Sequence, residues 1–366
     1  MKSVYLTYEG SGPGGHVTYG KLVCDYLKAD PVIVSACSPR PTFRERRRQK
    51  FVPIWGENVK IAIGVNEIVA ACKDADIVFL GLATWKATHP GAEDEIAQAI
   101  DQIQSFKVLM CLGTNESRLP ELRKLYARCS SKIDCWYSNR PLIRDFFVRK
   151  ELVSKTTPYV VGINPYKMRD GESPVGERTK VITATRFASA KRSTEVIPTL
   201  LKFHEDGVPV TASYDPNEAS FYFLGGVKNK PDVLAQWNKL KAAGILQGHY
   251  TGVKLQEILS SARFSIDHTY MAGDGSLWGD GISQYCQSEA IDWGAVPVVN
   301  RKFYFGDGWD SIVHRVDHPL ETVELYKNWD PIQHAEMIER GREYVRVNQS
   351  FEKFNAAIDN VLSLIP

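Results

Sequence analysis

The chain has 366 residues, of which 43% are hydrophobic and 24% are charged. A chain of this length exceeds one ordinary core, so we expect at least two domains. The composition excludes a disordered, collagenous or fibrous protein. The 45 Lys and Arg against 43 Asp and Glu leave a formal net charge of +2. Any contact with nucleic acid therefore requires a local basic patch.

The seven cysteines form no CxxC pair and are not clustered with other metal-binding side chains. Such cysteines are typical of reduced, buried thiols in a cytosolic protein, and no metal site is predicted. The N-terminus lacks the apolar run of a signal peptide, and no stretch reaches the roughly 18 apolar residues of a membrane span. We therefore expect a soluble intracellular protein.

Short apolar, β-rich runs alternate with helical patterns through the first half of the chain. Strands are predicted at residues 4–7, 31–36, 60–64, 76–82, 107–113, 133–138 and 159–163. Helices are predicted at residues 17–28, 67–73, 92–103 and 119–127. This alternation predicts an α/β domain, in which helices cover both faces of a parallel sheet.

A segment rich in Pro, Gly and charge follows, and beyond it the alternation begins again. Strands are predicted at residues 180–186, 208–213, 221–224, 245–248, 264–267 and 296–300, and helices at 194–206, 232–243, 254–261 and 284–293. We expect an N-terminal domain over 1–168, a second doubly wound domain over 178–330, and C-terminal helices over 331–366 that could cross back to the first. Two such domains facing across a cleft predict a ligand site in that cleft.

A glycine-rich loop, EGSGPGGHVTYGK, connects the first strand to the first helix. Gly14 and Gly15 allow close approach of a ligand to the backbone, and the free N–H groups of the helix favour an anion. The spacing fails the GxGxxG pattern, and no carboxylate ends the second strand, so a dinucleotide is not indicated. His16 is a candidate contact to a sugar or phosphate, and a purely structural turn remains the alternative.

Two cations follow the first strand of the second domain. In ATRFASAKRSTEV, Arg186 and Lys191 lie on the loop that enters the next helix. Cations beside helix N–H groups suit a diphosphate and would stabilise charge on a departing pyrophosphate-type group. The alternative is a pair of solvated surface cations.

The motif SEAIDWGAVPVV contains Glu289, which is followed by Gly294 and Pro297 at the start of an apolar strand. A carboxylate in this place can accept hydrogen bonds from both hydroxyls of a ribose. The alternative is an ordinary exposed helix glutamate.

These features resemble the donor half of the retaining GT-B glycosyltransferases, in which an Arg-x4-Lys loop precedes an E-x4-G-x-x-P-V motif. The resemblance implies two Rossmann-like domains, with a nucleotide sugar held mainly by the second. It implies that Arg186 and Lys191 act on the diphosphate as catalytic residues, that Glu289 holds the ribose, and that Tyr250 and Ser288 line the donor site. A second glutamate common in that family falls here on Gly281.

The chain also resembles the phage DNA α-glucosyltransferases. The matching segments are GGHVTYGKL, SPRPTFRERRRQKFVPI, DADIVFL, RFASAK, LKFHEDG and SEAIDWGAVPVV. The resemblance implies a hexosyltransferase that moves glucose from UDP-glucose to a hydroxyl of a modified base, such as a hydroxymethyl-pyrimidine, in double-stranded DNA. It further implies a monomer in the cytoplasm of a bacteriophage-infected cell, with retention of configuration, no required cofactor and an open role for a divalent metal.

The segment after the second strand is strongly basic. Six cations, with one acid among them, fall on a predicted loop: Arg40, Arg44, Arg46, Arg47, Arg48 and Lys50. Such a patch can bind DNA phosphates, and the interleaved Phe43, Phe51 or Trp55 could wedge into the base stack while a nucleotide is flipped. A solvated mobile loop is the alternative.

One loop departs from the phage family, because LGTNESR lacks the His and Asp of the corresponding loop near the reacting atoms. Glu116 is the candidate replacement for a catalytic carboxylate, and the acceptor base could accordingly differ. Asp267 and His268 end a strand and are expected to be structural, whereas residues 272–283 could close over the donor. Two other functions stay open: a glycosyltransferase for a small molecule, lipid or glycan, and a catalytically inactive DNA-binding protein on the same scaffold.

Overall fold

The protein is described from a computed structural model, which divides into two compact units. One unit comprises Met1–Asn164 with Phe351–Pro366, and the other comprises Pro165–Ser350. The first division falls at Asn164 rather than at the expected residue 168, and most of the expected C-terminal segment belongs to the second unit. The described residues are 1–8, 15–34, 41–81, 92–112, 128–139, 148, 154–171, 177–184, 192–212, 230–248, 252–269, 285–302 and 308–366.

The first unit is built on a seven-stranded parallel sheet. In chain order the strands are β1 (Ser3–Tyr8), β2 (Asp30–Val34), β3 (Lys60–Ala62), β4 (Ile77–Gly81), β5 (Phe106–Cys111), β6 (Cys135–Ser138) and β7 (Tyr159–Val161). Their spatial order is β3-β2-β1-β4-β5-β6-β7. The order reverses between β1 and β4, which makes the loop after β1 the topological switch point where α/β sheets bind ligands. The prediction of a doubly wound parallel sheet is confirmed.

The described residues of the first unit form four α-helices before the second unit begins. They are α1 (Gly15–Leu27), α2 (Pro41–Trp55), α3 (Gly64–Cys72) and α4 (Ala92–Gln102). The predicted helix at 119–127 lies outside the described residues.

Helix α2 corrects the prediction of a loop over the basic segment. Its run of Arg, Glu, Gln and Lys consists of good helix formers, and Pro41 stands at the first position, where proline is tolerated. Phe51 and Trp55 are one turn apart and are 3% and 9% exposed, with the Trp55 ring stacked on Tyr5 at 5.7 Å between centroids. These two aromatics are therefore core residues and not wedges for DNA, and the Phe43 side chain lies outside the described residues.

The second unit contains a five-stranded parallel sheet in the order β12-β11-β10-β8-β9. The strands are β8 (Lys180–Thr183), β9 (Val210–Ala212), β10 (Ala262–Asp267), β11 (Val296–Asn300) and β12 (His314–Val316). The predicted strand at 245–248 forms only an isolated bridge between Ala212 and Leu246. The predicted strand at 221–224 lies outside the described residues, and β12 was not predicted.

The described residues of the second unit form six α-helices. They are α5 (Ser193–Glu205), α6 (Pro231–Ala242), α7 (Gly252–Ser260), α8 (Tyr285–Asp292), α9 (Glu321–Lys327) and α10 (Pro331–Asn348). The last helix, α11 (Phe351–Leu362), returns to the first unit, where Phe354 and Ile358 are buried in its core. In the part of the chain that the structure describes, no helix combines the length and the apolar character needed to cross a bilayer.

Candidate active site

The carboxyl-terminal edge of the second sheet carries a group of buried polar residues. Strands β8, β10 and β11 end there at Thr183, Asp267 and Asn300, and His268 and Thr269 continue β10. All five residues are at most 2% exposed. In open α/β sheets this edge is where ligands bind, so these residues form the floor of the candidate site.

The predicted diphosphate cations follow β8 in the sequence. Arg186 and Lys191 belong to residues 185–191, which lie outside the described residues, between the end of β8 and the start of α5. On the helix side, Arg192 adopts a left-handed conformation, with φ 48° and ψ 41°. A non-glycine residue is uncommon there and costs on the order of 1 kcal/mol or more, which is typical of functional turns.

A polar network connects that turn to the floor. Arg192 forms an ion pair with Glu195, and a carboxylate oxygen of Glu195 (Oε2) lies 3.5 Å from His268 Nε2. Asn300 Nδ2 donates to the same ring nitrogen at 2.9 Å. Burial, and then the nearby Arg192, lower the pKa of His268 to about 4, so its imidazole is neutral at neutral pH.

Sequence reasoning missed three members of this network, although their positions carry a signal. Arg192 and Glu195 come one and four positions after Lys191. Asn300 ends a predicted strand at the ligand-binding edge. His268 was expected to be structural.

Asp267 joins the floor to helix α8. Its carboxylate accepts hydrogen bonds from Thr269 Oγ1 at 2.5 Å and from Gln287 Nε2 at 3.0 Å. Gln287 lies in the first turn of α8, so this carboxylate fixes where the helix starts relative to the end of β10.

The two predicted donor residues of α8 have different surroundings. Ser288 is fully buried, and its hydroxyl donates to Gln349 Oε1 at 2.6 Å. Glu289 is only partly buried, and its carboxylate has no hydrogen bond or ion pair with any residue that the structure describes. Burial, and then the neighbouring Asp292, raise the pKa of Glu289 to about 7. An unpaired carboxylate of this kind is suited to a ligand that supplies O–H donors.

The cations of α2 divide into two groups. Arg44 pairs with Glu67 at 2.8 Å, and Arg48 bonds the Val59 carbonyl at 3.2 Å and lies 3.5 Å from Glu45. Arg46 and Lys50 are exposed and have no ion pair with a described residue. Arg40 and the side chain of Arg47 lie outside the described residues.

The remaining predicted site residues are largely undescribed. Gly14, Glu116, Tyr250 and the segment 272–283 lie outside the described residues, whereas Gly15 is the first residue of α1. His16 belongs to α1, but its side chain is not described. Within the described ranges, no three His, Cys, Asp or Glu side chains are grouped so that they could hold a metal ion.

Solved structures match the chain almost from end to end. Alr3699/HepE of Anabaena in complex with UDP-glucose is 13% identical over 99% of this chain and 100% of that one, with a TM-score of 0.69. An alpha-glucosyltransferase (AGT) in complex with UDP is 14% identical over 99% and 100%, with a TM-score of 0.67. That enzyme is also known with UDP and a 13-mer DNA containing an HMU base.

A glycosyltransferase from Rickettsia africae is 9% identical over 100% of this chain and 98% of that one, with a TM-score of 0.63. No protein-family model matches the sequence, and no curated protein matches it. The similarity to these structures, together with the two parallel sheets, shows that the chain has the GT-B fold of two Rossmann-like units. The expected fold class is thereby confirmed.

Proposed function

We propose that the protein is a glycosyltransferase that moves glucose from UDP-glucose to a hydroxyl of a modified base in DNA. The observation that carries the donor half is Glu289 on α8, whose partly buried carboxylate has no hydrogen bond or ion pair with a residue that the structure describes. A ribose offers two adjacent hydroxyls that would donate to its two oxygens. The structural neighbours solved with UDP or UDP-glucose support the same donor.

The diphosphate belongs on the turn between β8 and α5. Arg186 and Lys191 supply positive charge there, and the positive end of the α5 helix dipole favours an anion. As the glycosidic bond breaks, negative charge grows on the leaving phosphate oxygen, and the two cations stabilise it.

The phage resemblance supports retention of the anomeric configuration. The departing phosphate oxygen then takes the proton of the acceptor hydroxyl as the new glycosidic bond forms, so charge and protons balance without an enzymic base. Glu116 is the residue proposed to assist at the acceptor hydroxyl.

The proposal of a DNA acceptor depends on the cations of helix α2. Its exposed Arg46 and Lys50 can contact DNA phosphates. The AGT structure with DNA supports a nucleic-acid acceptor for this fold. The most direct test is incubation with radiolabelled UDP-glucose and duplexes that differ only in their pyrimidine. Label fixed in hydroxymethyl-pyrimidine DNA but not in unmodified DNA is expected.

A second candidate function is transfer to a small molecule, lipid or glycan. The pairing of Arg44 with Glu67 and of Arg48 with Val59 and Glu45 favours it, because these cations already have partners. UDP release in the presence of such an acceptor, with no label on any DNA, would select this function. A protein that releases no UDP with any acceptor or with water would instead be an inactive scaffold.

Replacing both exposed cations of α2 with alanine distinguishes a DNA acceptor from a small-molecule, lipid or glycan acceptor. In the Arg46→Ala/Lys50→Ala variant, we expect weaker DNA binding, and the slope of log affinity against log salt should fall by about 2. Hydrolysis of UDP-glucose should be unchanged. The control variant Lys73→Ala/Lys132→Ala removes the same charge from the first unit at other exposed positions. Equal DNA affinities for the two variants would contradict a DNA acceptor bound through α2.

A further inference from the structure

Helix α8 is anchored by a fully buried arginine on α10. Arg342 is 1% exposed, and its Nη1 donates to both the carbonyl and the carboxylate of Asp292 at 2.7 Å. Its Nη2 donates to the carbonyls of Arg169 at 3.2 Å and Gly171 at 2.7 Å. One guanidinium therefore joins the end of α8, the helix α10 and the segment that enters the second unit.

Asp292 completes the anchor from the other side. Besides Arg342, its carboxylate accepts the Tyr166 hydroxyl at 3.2 Å and the Arg169 backbone N–H at 3.2 Å. Arg169 Nε donates to the Asp292 carbonyl at 3.1 Å and stacks its guanidinium over the Trp293 ring. Asp292 is 2% exposed, and the groups that bond to its carboxylate all belong to the protein.

The preceding turn of α8 has an anchor of its own. Ser288 donates to the Gln349 side chain at 2.6 Å, and the Gln349 carbonyl accepts from Tyr166 N at 2.7 Å. Helices α8 and α10 also touch closely, because a Cβ added at Gly341 would lie 2.9 Å from Ile291 Cγ2. Ser288, Ile291 and Asp292 are thus all bonded or packed inward, whereas Glu289 between them has no described partner.

We propose that Asp292 and Arg342 are positioning residues, which hold α8 so that Glu289 faces the nucleotide and which set the charge state of its carboxyl. This inference rests on the proposed function, in which Glu289 binds the ribose. Neither Asp292 nor Arg342 touches the ligand. Their buried pair fixes the helix one turn beyond Glu289, and the negative charge of Asp292 acts on Glu289 from the same helix.

The surroundings of Glu289 should make the affinity for the nucleotide depend on pH. In the described part of the second unit, Glu289 interacts electrostatically with Asp292 on α8 and with Tyr166 from the entering segment, and Asp292 in turn pairs with Arg169 and with Arg342 of α10. Burial first and Asp292 second raise the pKa of Glu289 to about 7. Only the ionised carboxylate can accept from both ribose hydroxyls, so nucleotide affinity is full above this pKa and falls as the pH drops through it.

The test is the affinity for UDP-glucose, whose diphosphate does not change its charge in this pH range, measured by isothermal titration calorimetry of the full chain. For the unchanged protein we expect about a tenfold loss between about pH 8 and pH 6. Asp292→Asn keeps the shape but removes the charge, so the pKa of Glu289 should fall and the loss should be smaller than in the unchanged protein. The control Asp310→Asn removes an exposed carboxylate in the same unit and should keep the original pH profile.

An unchanged pH profile for Asp292→Asn would overturn the proposal. If that variant does not fold, Arg342→Lys gives the answer, because a lysine keeps the positive charge but cannot make all four hydrogen bonds. It should bind UDP-glucose more weakly at every pH, and an affinity equal to that of the unchanged protein would overturn the positioning role.

A separate variant distinguishes this inference from the proposed function. Glu289→Gln should bind UDP-glucose weakly, with no loss of affinity between about pH 8 and pH 6. If Glu289→Gln instead binds UDP-glucose as the unchanged protein does, the ribose assignment itself fails. If it behaves as expected while Asp292→Asn keeps the original profile, only the positioning role fails.

Discussion

Replacing Lys191 with alanine is expected to lower the rate constant for UDP-glucose turnover by about 10²- to 10³-fold. The loss should appear in kcat more than in KM, because the charge that the ammonium stabilises develops fully only as the glycosidic bond breaks. Single-turnover measurement of UDP release at saturating donor isolates that step. Arg186→Ala should lose a similar factor, and the double variant should lose less than the product of the two, because both cations act on one leaving group.

Lys202→Ala is the matched control for Lys191. It removes the same side chain from the exposed face of α5, where Lys202 pairs with Asp206 at 2.5 Å. Its turnover should equal that of the unchanged protein. If the turnover of Lys191→Ala is within about twofold of the control, Lys191 does not stabilise the leaving group.

Replacing Arg342 with methionine is expected to cost about 3–5 kcal/mol of the free energy of unfolding. The change leaves the buried carboxylate of Asp292 with only the longer pair to Arg169, at 3.5 Å, and removes the donor to three backbone carbonyls. Removing one partner of a buried, hydrogen-bonded ion pair is among the most destabilising single changes. Urea unfolding followed by circular dichroism measures the cost.

Arg346→Met controls for the loss of an arginine from the same helix. Arg346 lies one turn further along α10, is half exposed and pairs with Glu343 at 2.9 Å. Exposed pairs of this kind contribute about 1 kcal/mol or less, so this variant should keep nearly all of its stability. Equal stabilities of the two variants would show that the buried pair does not hold α8 and α10 together.

The regular part of the fold could be predicted from the sequence because its strands are continuous apolar runs between helical patterns. Strands such as β4 and β11, with every residue buried, leave a clear signal of this type. Strand β12 does not, because its three residues, His314–Val316, include two polar side chains. Helix α2 was missed because its polar residues dominate, and its described residues that pack against the core, Phe51, Val52, Ile54 and Trp55, all lie at its end.

The candidate site was predictable only where its residues are close together in the sequence. The motif around Glu289 could be recognised in this way. The anchor of that helix could not, because Arg342 meets Asp292 across 50 positions of the chain. The sequence also does not show which cations form ion pairs. Arg44 and Arg46 look alike in the sequence, yet only Arg44 has Glu67 beside it. Charge patterns identify candidates for binding, and tertiary contacts decide which of them are still available.

A crystal structure of the protein with UDP is the most direct test of where the nucleotide binds. We expect phosphate oxygens within about 2.7–3.2 Å of Arg186 and Lys191 and hydrogen bonds from the ribose hydroxyls to the carboxylate of Glu289. UDP bound at another place, with the turn between β8 and α5 empty, would contradict it.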